Sequence, residues 1–237
     1  MTINTKYRSN ASEIMDDFSV EGNEVSDALD KIAKINQWLG GNKLTLQGVQ
    51  KLLKKASNKK EICIVDLGCG NGDMLRKLAD FSIQSGQDFR LIGIDANPFT
   101  INYAKECSSD YTDIEYLSED IFAVDYEHYK IDIVLCTLTL HHFKNEEIMK
   151  LLEVLKKNVS IGIVINDLQR SRVAYRLFEL ICFVFRLNRM SREDGLTSIL
   201  RGFKRKDLVD FSKKLNLSHY TIEWKWAFRY QWIIYQS

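Results

Sequence analysis

The chain has 237 residues, 45% apolar and 27% charged, which is enough for one sizeable buried core and unlike the composition of a disordered chain. Lysine and arginine (33) nearly balance aspartate and glutamate (32), and the formal charge of +1 creates no global field that would draw the protein onto nucleic acid or an anionic membrane. A small or weakly charged substrate is the default partner, and no nucleic acid is expected.

The first elements are two amphipathic stretches, Ser12 to Phe18 and Glu24 to Leu39, the second with Val25, Leu29, Ile32, Ile35 and Leu39 at helical spacing. Gly40 and Gly41 stop it, and a third helix is expected from about Thr45 to Lys55. Past the polar linker Ala56 to Lys60 the pattern changes to strands alternating with helices. Strands are expected at Ile62–Asp66, Phe89–Asp95, Ile114–Leu117, Ile131–Cys136 and Val159–Ile165. Helices are expected at Asn71–Gln84, Phe99–Cys107 and Glu146–Lys157. An insertion at about 170–203, helical from Val173 to Phe185, precedes a helix at Lys206–Leu215. Ser218 to Tyr235 reads as two antiparallel edge strands joined near Ala227 and Phe228.

This order predicts an α/β fold: a Rossmann-like, doubly wound, mostly parallel seven-stranded sheet with a C-terminal antiparallel edge hairpin and an N-terminal helical cap. Residues 1–60 form the cap, within the same domain as the core at 61–237. The five cysteines, Cys63, Cys69, Cys107, Cys136 and Cys182, never form CxxC, so neither a disulfide framework nor a zinc-ligand spacing is visible and no metal is expected. Met1 to Asn10 is polar and lacks a signal-peptide core. The most apolar run, Leu177 to Leu187, is too short to span a bilayer and carries Glu179, so a cytoplasmic protein without stable membrane insertion is expected. The oligomeric state is left open.

The most informative stretch is Ile64-Val65-Asp66-Leu67-Gly68-Cys69-Gly70-Asn71-Gly72-Asp73, an apolar strand running into a glycine-rich turn and a helix. Glycines there permit backbone angles that other residues resist and let a ligand approach the main chain. A dinucleotide fingerprint wants G-x-G-x-x-G, whereas Asp73 stands at the third glycine's place and would repel a pyrophosphate at the helix N-terminus. A nucleoside cofactor without a diphosphate fits better. Cys69 reads as a small residue filling the turn, since nothing near it in sequence is cationic.

Over about Glu61 to Ile165 the sequence resembles class I methyltransferases, whose first motif, D-x-G-x-G-x-G, binds the methionine half of S-adenosylmethionine. The resemblance implies a cofactor-binding set of Asp66, Gly68, Cys69, Gly70 and Gly72 at the turn, Asp95 and Ala96 at the ribose, Asp120 and Ile121 at the adenine, and Thr137 at the end of the fourth strand. A carboxylate such as Asp95 can accept both ribose hydroxyls.

On the acceptor side, Leu140-His141-His142-Phe143 follows the fourth strand and resembles the L-H-H-F segment of small-molecule methyltransferases, including those of ubiquinone and menaquinone biosynthesis. Either histidine could remove a phenolic proton, or one could pack in the core while the other satisfies backbone groups. Asp167 and Arg170, at the end of the fifth strand, either orient a polar substrate group or form a loop-stabilising ion pair. Tyr175, Phe178, Phe183 and Phe185 either complete the core or line an apolar pocket. N-terminal helices and the Val173–Phe185 helix together are expected to roof the acceptor.

Pieces outside the common core resemble methyltransferases associated with type III polyketide synthases: Glu13-Ile14-Met15-Asp16-Asp17, Asn36 to Gly41, Asn166-Asp167-Leu168 with Arg170, and Asp194-Gly195 through Ser198 to Arg201-Gly202-Phe203. Gln169 departs from the histidine or other basic residue common there. The resemblance implies O- or C-methylation of a small phenolic, polyketide or quinone-like acceptor. Alternatives are an RNA or protein methyltransferase on the same fold, or a non-catalytic S-adenosylmethionine-binding module. The Asn/Asp-Pro-Pro-Tyr/Phe tetrapeptide of amino-group methylation is absent, and Lys204-Arg205-Lys206 is a short solvated helix start.

Overall fold

Apolar runs buried on both faces build the centre of a seven-stranded sheet. The computed structural model describes residues 3–55 and 59–236; the expected linker at Ala56 to Lys60 therefore falls partly outside the described residues. In chain order the strands are β1 (Glu61–Leu67), β2 (Asp88–Asp95), β3 (Ile114–Ser118), β4 (Ile133–Thr137), β5 (Gly162–Leu168), β6 (Tyr220–Lys225) and β7 (Arg229–Tyr235). Their spatial order is β3-β2-β1-β4-β5-β7-β6. The first five are parallel, and β7 runs antiparallel to both β5 and β6. This is the doubly wound sheet with an antiparallel edge hairpin that the sequence implies.

The helices are α1 (Asn23–Trp38), α2 (Gly41–Leu53), α3 (Asp73–Ser85), α4 (Pro98–Cys107), α5 (Asn145–Asn158), α6 (Arg172–Val184), α7 (Arg189–Arg201) and α8 (Arg205–Lys214). Side chains alternate across each strand, so β1 sends Ile62 and Ile64 to one face, and Val65 and Leu67 serve the other. The first face is covered by α2, α3 and α4 through Val49, Leu52, Met74, Leu75, Leu78 and Ile101. The opposite face is covered by α5 and α8 through Ile148, Leu151, Leu155, Leu208 and Phe211. Helix α1 joins a smaller cluster, Val25, Ala28 and Leu29 with Met190 of α7.

Four differences from the sequence pattern have physical causes. Ser12–Phe18 forms only a 3-10 turn at Ile14–Asp16, because the Ile14 and Met15 amides donate to the Asp194 carboxylate at 2.7 and 3.0 Å instead of to helical carbonyls. Helix α2 begins at Gly41, four residues before the expected Thr45, since Gly40 in the left-handed region (φ 77°) turns the chain straight into it. Strand β5 starts at Gly162 because the Val159 amide still caps α5 by donating to Leu155 O. Helix α7 lies within the helical insertion expected at about 170–203 but beyond its span Val173–Phe185, as its buried face is largely polar, with Ser191, Asp194, Ser198 and Arg201, and hides the apolar period.

Candidate active site

Between β1 and α3 the glycines of the turn serve different needs. Gly68, Gly70 and Gly72 have φ of 68°, 54° and 76°. A Cβ on Gly68 would lie 2.8 Å from Thr139 Cγ2, and one on Gly72 would lie 2.0 Å from Tyr116 Oη, so close packing excludes a side chain at both. At Gly70 the nearest atom would be Leu29 Cδ2 at 3.5 Å, so its missing side chain instead leaves room in the cavity above. Asp95, at the carboxyl end of β2, accepts the Gly70 amide at 3.2 Å and the Asn97 amide at 3.1 Å. Two amides leave this carboxylate capacity for two further donors.

Asp66 is almost fully buried and its Oδ1 has no hydrogen-bond partner among the described residues, a costly arrangement that a bound donor would relieve. Burial first, then Asp73 and Asp95, push its carboxyl well above the ordinary range. The Cys69 thiol is raised well above its ordinary value by burial and by Asp95 and Asp66, as an inert turn-filling residue would be. Exposed Asp120 accepts the Phe122 amide at 3.0 Å beside buried Ile121. All the expected cofactor residues except Gly72, which packs behind the turn, border one cavity of about 1510 Å³. That exceeds the ~300–1,000 Å³ of ordinary ligand pockets and suits two molecules side by side.

The N-terminal helices are tied directly to this turn. Asn71 donates to Asp30 of α1 at 3.2 Å, and Asn42 of α2 donates to Asp73 at 2.7 Å while accepting from Asn36. A Cβ on Gly41 would strike Asn36 Oδ1 at 1.9 Å, so Asn36 requires a glycine at position 41. Asn166 donates to Gly41 O and Thr45 Oγ1 at 2.9 and 3.0 Å, and Thr45 Oγ1 lies 3.1 Å from Thr137 Oγ1.

Beyond β4, Thr139 donates to Leu67 O at 2.8 Å and a 3-10 turn, Leu140–His142, presents the two histidines. His141 is buried, with Nδ1 2.7 Å from Asp167 Oδ1 and its amide 3.2 Å from Asp167 Oδ2. Burial raises the Asp167 carboxyl, but His141, the Leu168 amide and His142 together outweigh it and hold it below the ordinary range. His141 and Arg170 border the cavity, while Asp167 lies behind His141, outside the lining. The second ring, His142, packs on the first with centroids 4.2 Å apart and places Nδ1 2.7 Å from Asp16 Oδ1.

The N-terminal segment closes over this pair. Glu13 Oε1 lies 3.9 Å from His141 Nε2, and Glu13 Oε2 accepts from Ser198 Oγ at 2.7 Å. Arg201 Nη1 donates to Asp16 at 2.5 Å and stands 3.5 Å from Glu13 Oε1; its other nitrogens donate to the carbonyls of His141 and His142. Arg8 donates to Arg201 O, His141 O and Phe143 O. Burial raises the Glu13 carboxyl to about 7 despite His142, Ser198 and Arg201, whereas hydrogen bonds from His142 and Arg201 overcome burial at Asp16 and hold it far below its ordinary value. Ligand atoms of Glu13, His141 and His142 lie within 4.8 Å of one another, a spacing a metal could use. Arg201 already supplies the positive charge there, and His142 Nδ1 is engaged by Asp16.

Arg170 spends its guanidinium on the frame: Nε to Thr5 O at 3.2 Å, Nη1 to Gly202 O at 2.5 Å and Nη2 to Asp207 at 3.0 Å. Its ion-pair partner is thus Asp207, not Asp167. Gln169 accepts from Trp224 Nε1 at 2.9 Å. From α6, Leu177, Phe178 and Ile181 border the cavity, whereas Phe183, and Phe185 just past the helix end, are exposed. Arg229 of β7 borders it too, buried, with no partner for Nε or Nη1 among the described residues and with burial lowering its pKa to about 10.

Glu13, Asp16, Asp194, Ser198, Arg201 and Arg229 carry no site role in the sequence motifs. The first five sit within the distinctive outlying pieces, and the structure shows those pieces converging on the two histidines. Arg229 carried no sequence signal.

A doubly wound sheet ending in β7 inserted antiparallel, with a glycine turn facing an acid on β2, defines a class I, S-adenosylmethionine-dependent methyltransferase. Residues 58–214, well over half of the chain, match the methyltransferase domain family, and the protein belongs to that family. A comparison with proteins of curated function returned no match. Among solved structures, the plantazolicin methyltransferase BpumL in complex with SAH is similar at 17% identity and TM-score 0.67, covering 88% of this chain and 89% of that one. Magnesium protoporphyrin IX methyltransferase (ChlM) from Synechocystis PCC 6803 with bound SAH is similar at 16% identity and TM-score 0.56, covering 84% of each. A putative O-methyltransferase from Nostoc punctiforme PCC 73102 shares 15% identity at TM-score 0.59, covering 88% of this chain and 60% of that one.

Proposed function

We propose that the protein methylates an oxygen or carbon of a small, apolar phenolic, polyketide or quinone-like acceptor in the cytoplasm, with His141 as general base. The observation that carries this reading is His141, held from behind by buried Asp167, bordering the same cavity as the glycine turn. Named substrates of the similar structures, plantazolicin and magnesium protoporphyrin IX, differ from each other, so the acceptor is argued from this cavity alone.

When bound, S-adenosylmethionine supplies an electrophilic methyl group on a sulfonium. Asp95 would hold the ribose hydroxyls, Asp120 and the Ile121 amide the adenine, and the Gly68–Gly70 backbone with Asp66 the methionine part. Asp167 fixes the His141 tautomer by accepting from Nδ1, which leaves Nε2 to take the acceptor's proton. The unpartnered Arg229 guanidinium would anchor an acceptor oxygen. Leu29, Leu177, Phe178 and Ile181 present apolar walls, and α1, the N-terminal segment and α6 roof the site within one domain, excluding water. Holding the reactants in line supplies much of the acceleration.

Methyl-labelled donor incubated with alkylphenols, hydroxyquinones, a peptide amine and RNA tests this. Label is expected in a phenol or hydroxyquinone, and His141→Gln is expected to lose about 10²- to 10⁴-fold in rate while retaining affinity for S-adenosylhomocysteine. Transfer to peptide or RNA, or an unimpaired His141→Gln, overturns the reading. Cofactor binding with no transfer to any acceptor favours the non-catalytic module.

A further inference from the structure

We infer that the outer face of α6, with Trp38 and Phe185, is a docking surface for an anionic lipid bilayer. Val173, Leu177, Leu180 and Val184 recur at four-, three- and four-residue steps, so they form one stripe along the helix, and all four are exposed. Val173 is 58% and Leu180 57% exposed, and neighbouring Phe183 reaches 82%. The patch continues beyond α6, because the Phe185 ring packs 5.9 Å from that of Trp38, itself 70% exposed at the end of α1. Contiguous apolar exposure of this kind marks a contact surface.

Charge selects the partner. From Arg172 to Glu193 the chain carries Arg172, Arg176, Arg186, Arg189 and Arg192 against only Glu179 and Glu193, a local excess that the near-neutral total conceals. All five arginines are exposed, and the pairs Arg176–Glu179 and Arg189–Glu193 lie on the surface, where such pairs are weak. An apolar stripe flanked by arginines matches an anionic interface: rings and aliphatic chains enter the headgroup region while the guanidinium groups meet phosphates. At 13 residues α6 is too short to span, and among the described residues no helix is long and apolar enough to cross a membrane. It therefore lies in the plane of the interface.

The surface adjoins the active site. Leu177, Leu180 and Trp38 belong both to the exposed patch and to the cavity lining, so the cavity mouth opens at the docked face. An acceptor with an alkyl tail then passes from lipid to the cavity without crossing bulk water; this clause rests on the apolar-acceptor reading, whereas docking itself does not.

Vesicle flotation without any acceptor tests the docking. The protein is expected to float with vesicles of phosphatidylcholine mixed with phosphatidylglycerol, to bind pure phosphatidylcholine at least tenfold more weakly, and to be released from the anionic vesicles by salt. Phe183→Asp with Val184→Asp should abolish flotation, and Arg176→Glu with Arg189→Glu should weaken it about tenfold. None of these four residues borders the cavity, so affinity for S-adenosylhomocysteine should stay unchanged and report an intact fold. No flotation of the native protein with anionic vesicles, or flotation of both double variants equal to that of the native protein, overturns the inference. So does a native dimer in sedimentation that Phe183→Asp dissociates, because the patch would then join two copies.

Discussion

Replacing Glu13 by Gln should make the protein more stable at neutral pH and leave it unchanged in mild acid. The unfolded chain releases this proton near the ordinary 4.5, but burial keeps it on the folded protein until about 7. Between those values the unfolded state binds fewer protons, so stability falls as pH rises. A difference of that size corresponds to about 3 kcal/mol, fully expressed above pH 7 and absent below pH 4. Glutamine keeps an acceptor for Ser198 Oγ and resembles the neutral carboxyl in shape, so the variant should lack this part of the decline. Asp66, Asp95 and Asp194 are also raised and contribute declines of the same sign, but these are common to both proteins and cancel in the comparison. Urea denaturation at several pH values from 4 to 8 reads the difference. Parallel curves for the two proteins, or a variant that is less stable at pH 8, would refute this view of the Glu13 environment.

Other substitutions separate cofactor, base and frame. Asp95→Ala should weaken S-adenosylhomocysteine by roughly 1.5 to 3 kcal/mol, the scale of a lost charged hydrogen bond, as read by calorimetry on a folded variant. Asp167→Asn should slow methyl transfer at least tenfold with cofactor affinity retained, because it releases the His141 tautomer while leaving the glycine turn intact; equal rates would detach Asp167 from the chemistry. Gly72→Ala should destabilise the fold by about 2 to 5 kcal/mol, combining a left-handed backbone with overlap on the Tyr116 hydroxyl, and a thermal melt within a degree of the native protein would contradict the turn geometry.

What the sequence showed and what it hid divide along a physical line. The glycine turn, Asp95 and the β-then-α order are local patterns, and they lie where their spacing placed them because backbone angles and side-chain alternation are set by near neighbours. The ring of groups around the histidines is non-local: Arg201 meets Asp16 across 185 positions, and Glu13 meets Ser198 across the same distance. No period or spacing encodes such pairs. Helix α7 lacks a clear apolar period for a related reason, as it turns serine, aspartate and arginine inward to meet the N-terminal segment. Arg170 illustrates the reverse: a basic residue at a catalytic rim invites a substrate role, yet in the fold its donors meet Thr5, Gly202 and Asp207. Arg229 lies on a plain edge-strand pattern, and only the pairing of β7 with β5 brings it to the cavity.

If the glycine turn, closed by Asp95 and lacking a third dinucleotide glycine, accommodates S-adenosylmethionine, calorimetric titration of the purified protein with S-adenosylhomocysteine and, separately, with NAD distinguishes the two cofactors. Saturable one-to-one binding of S-adenosylhomocysteine with no heat from NAD is the expected result; binding of NAD without S-adenosylhomocysteine would contradict it.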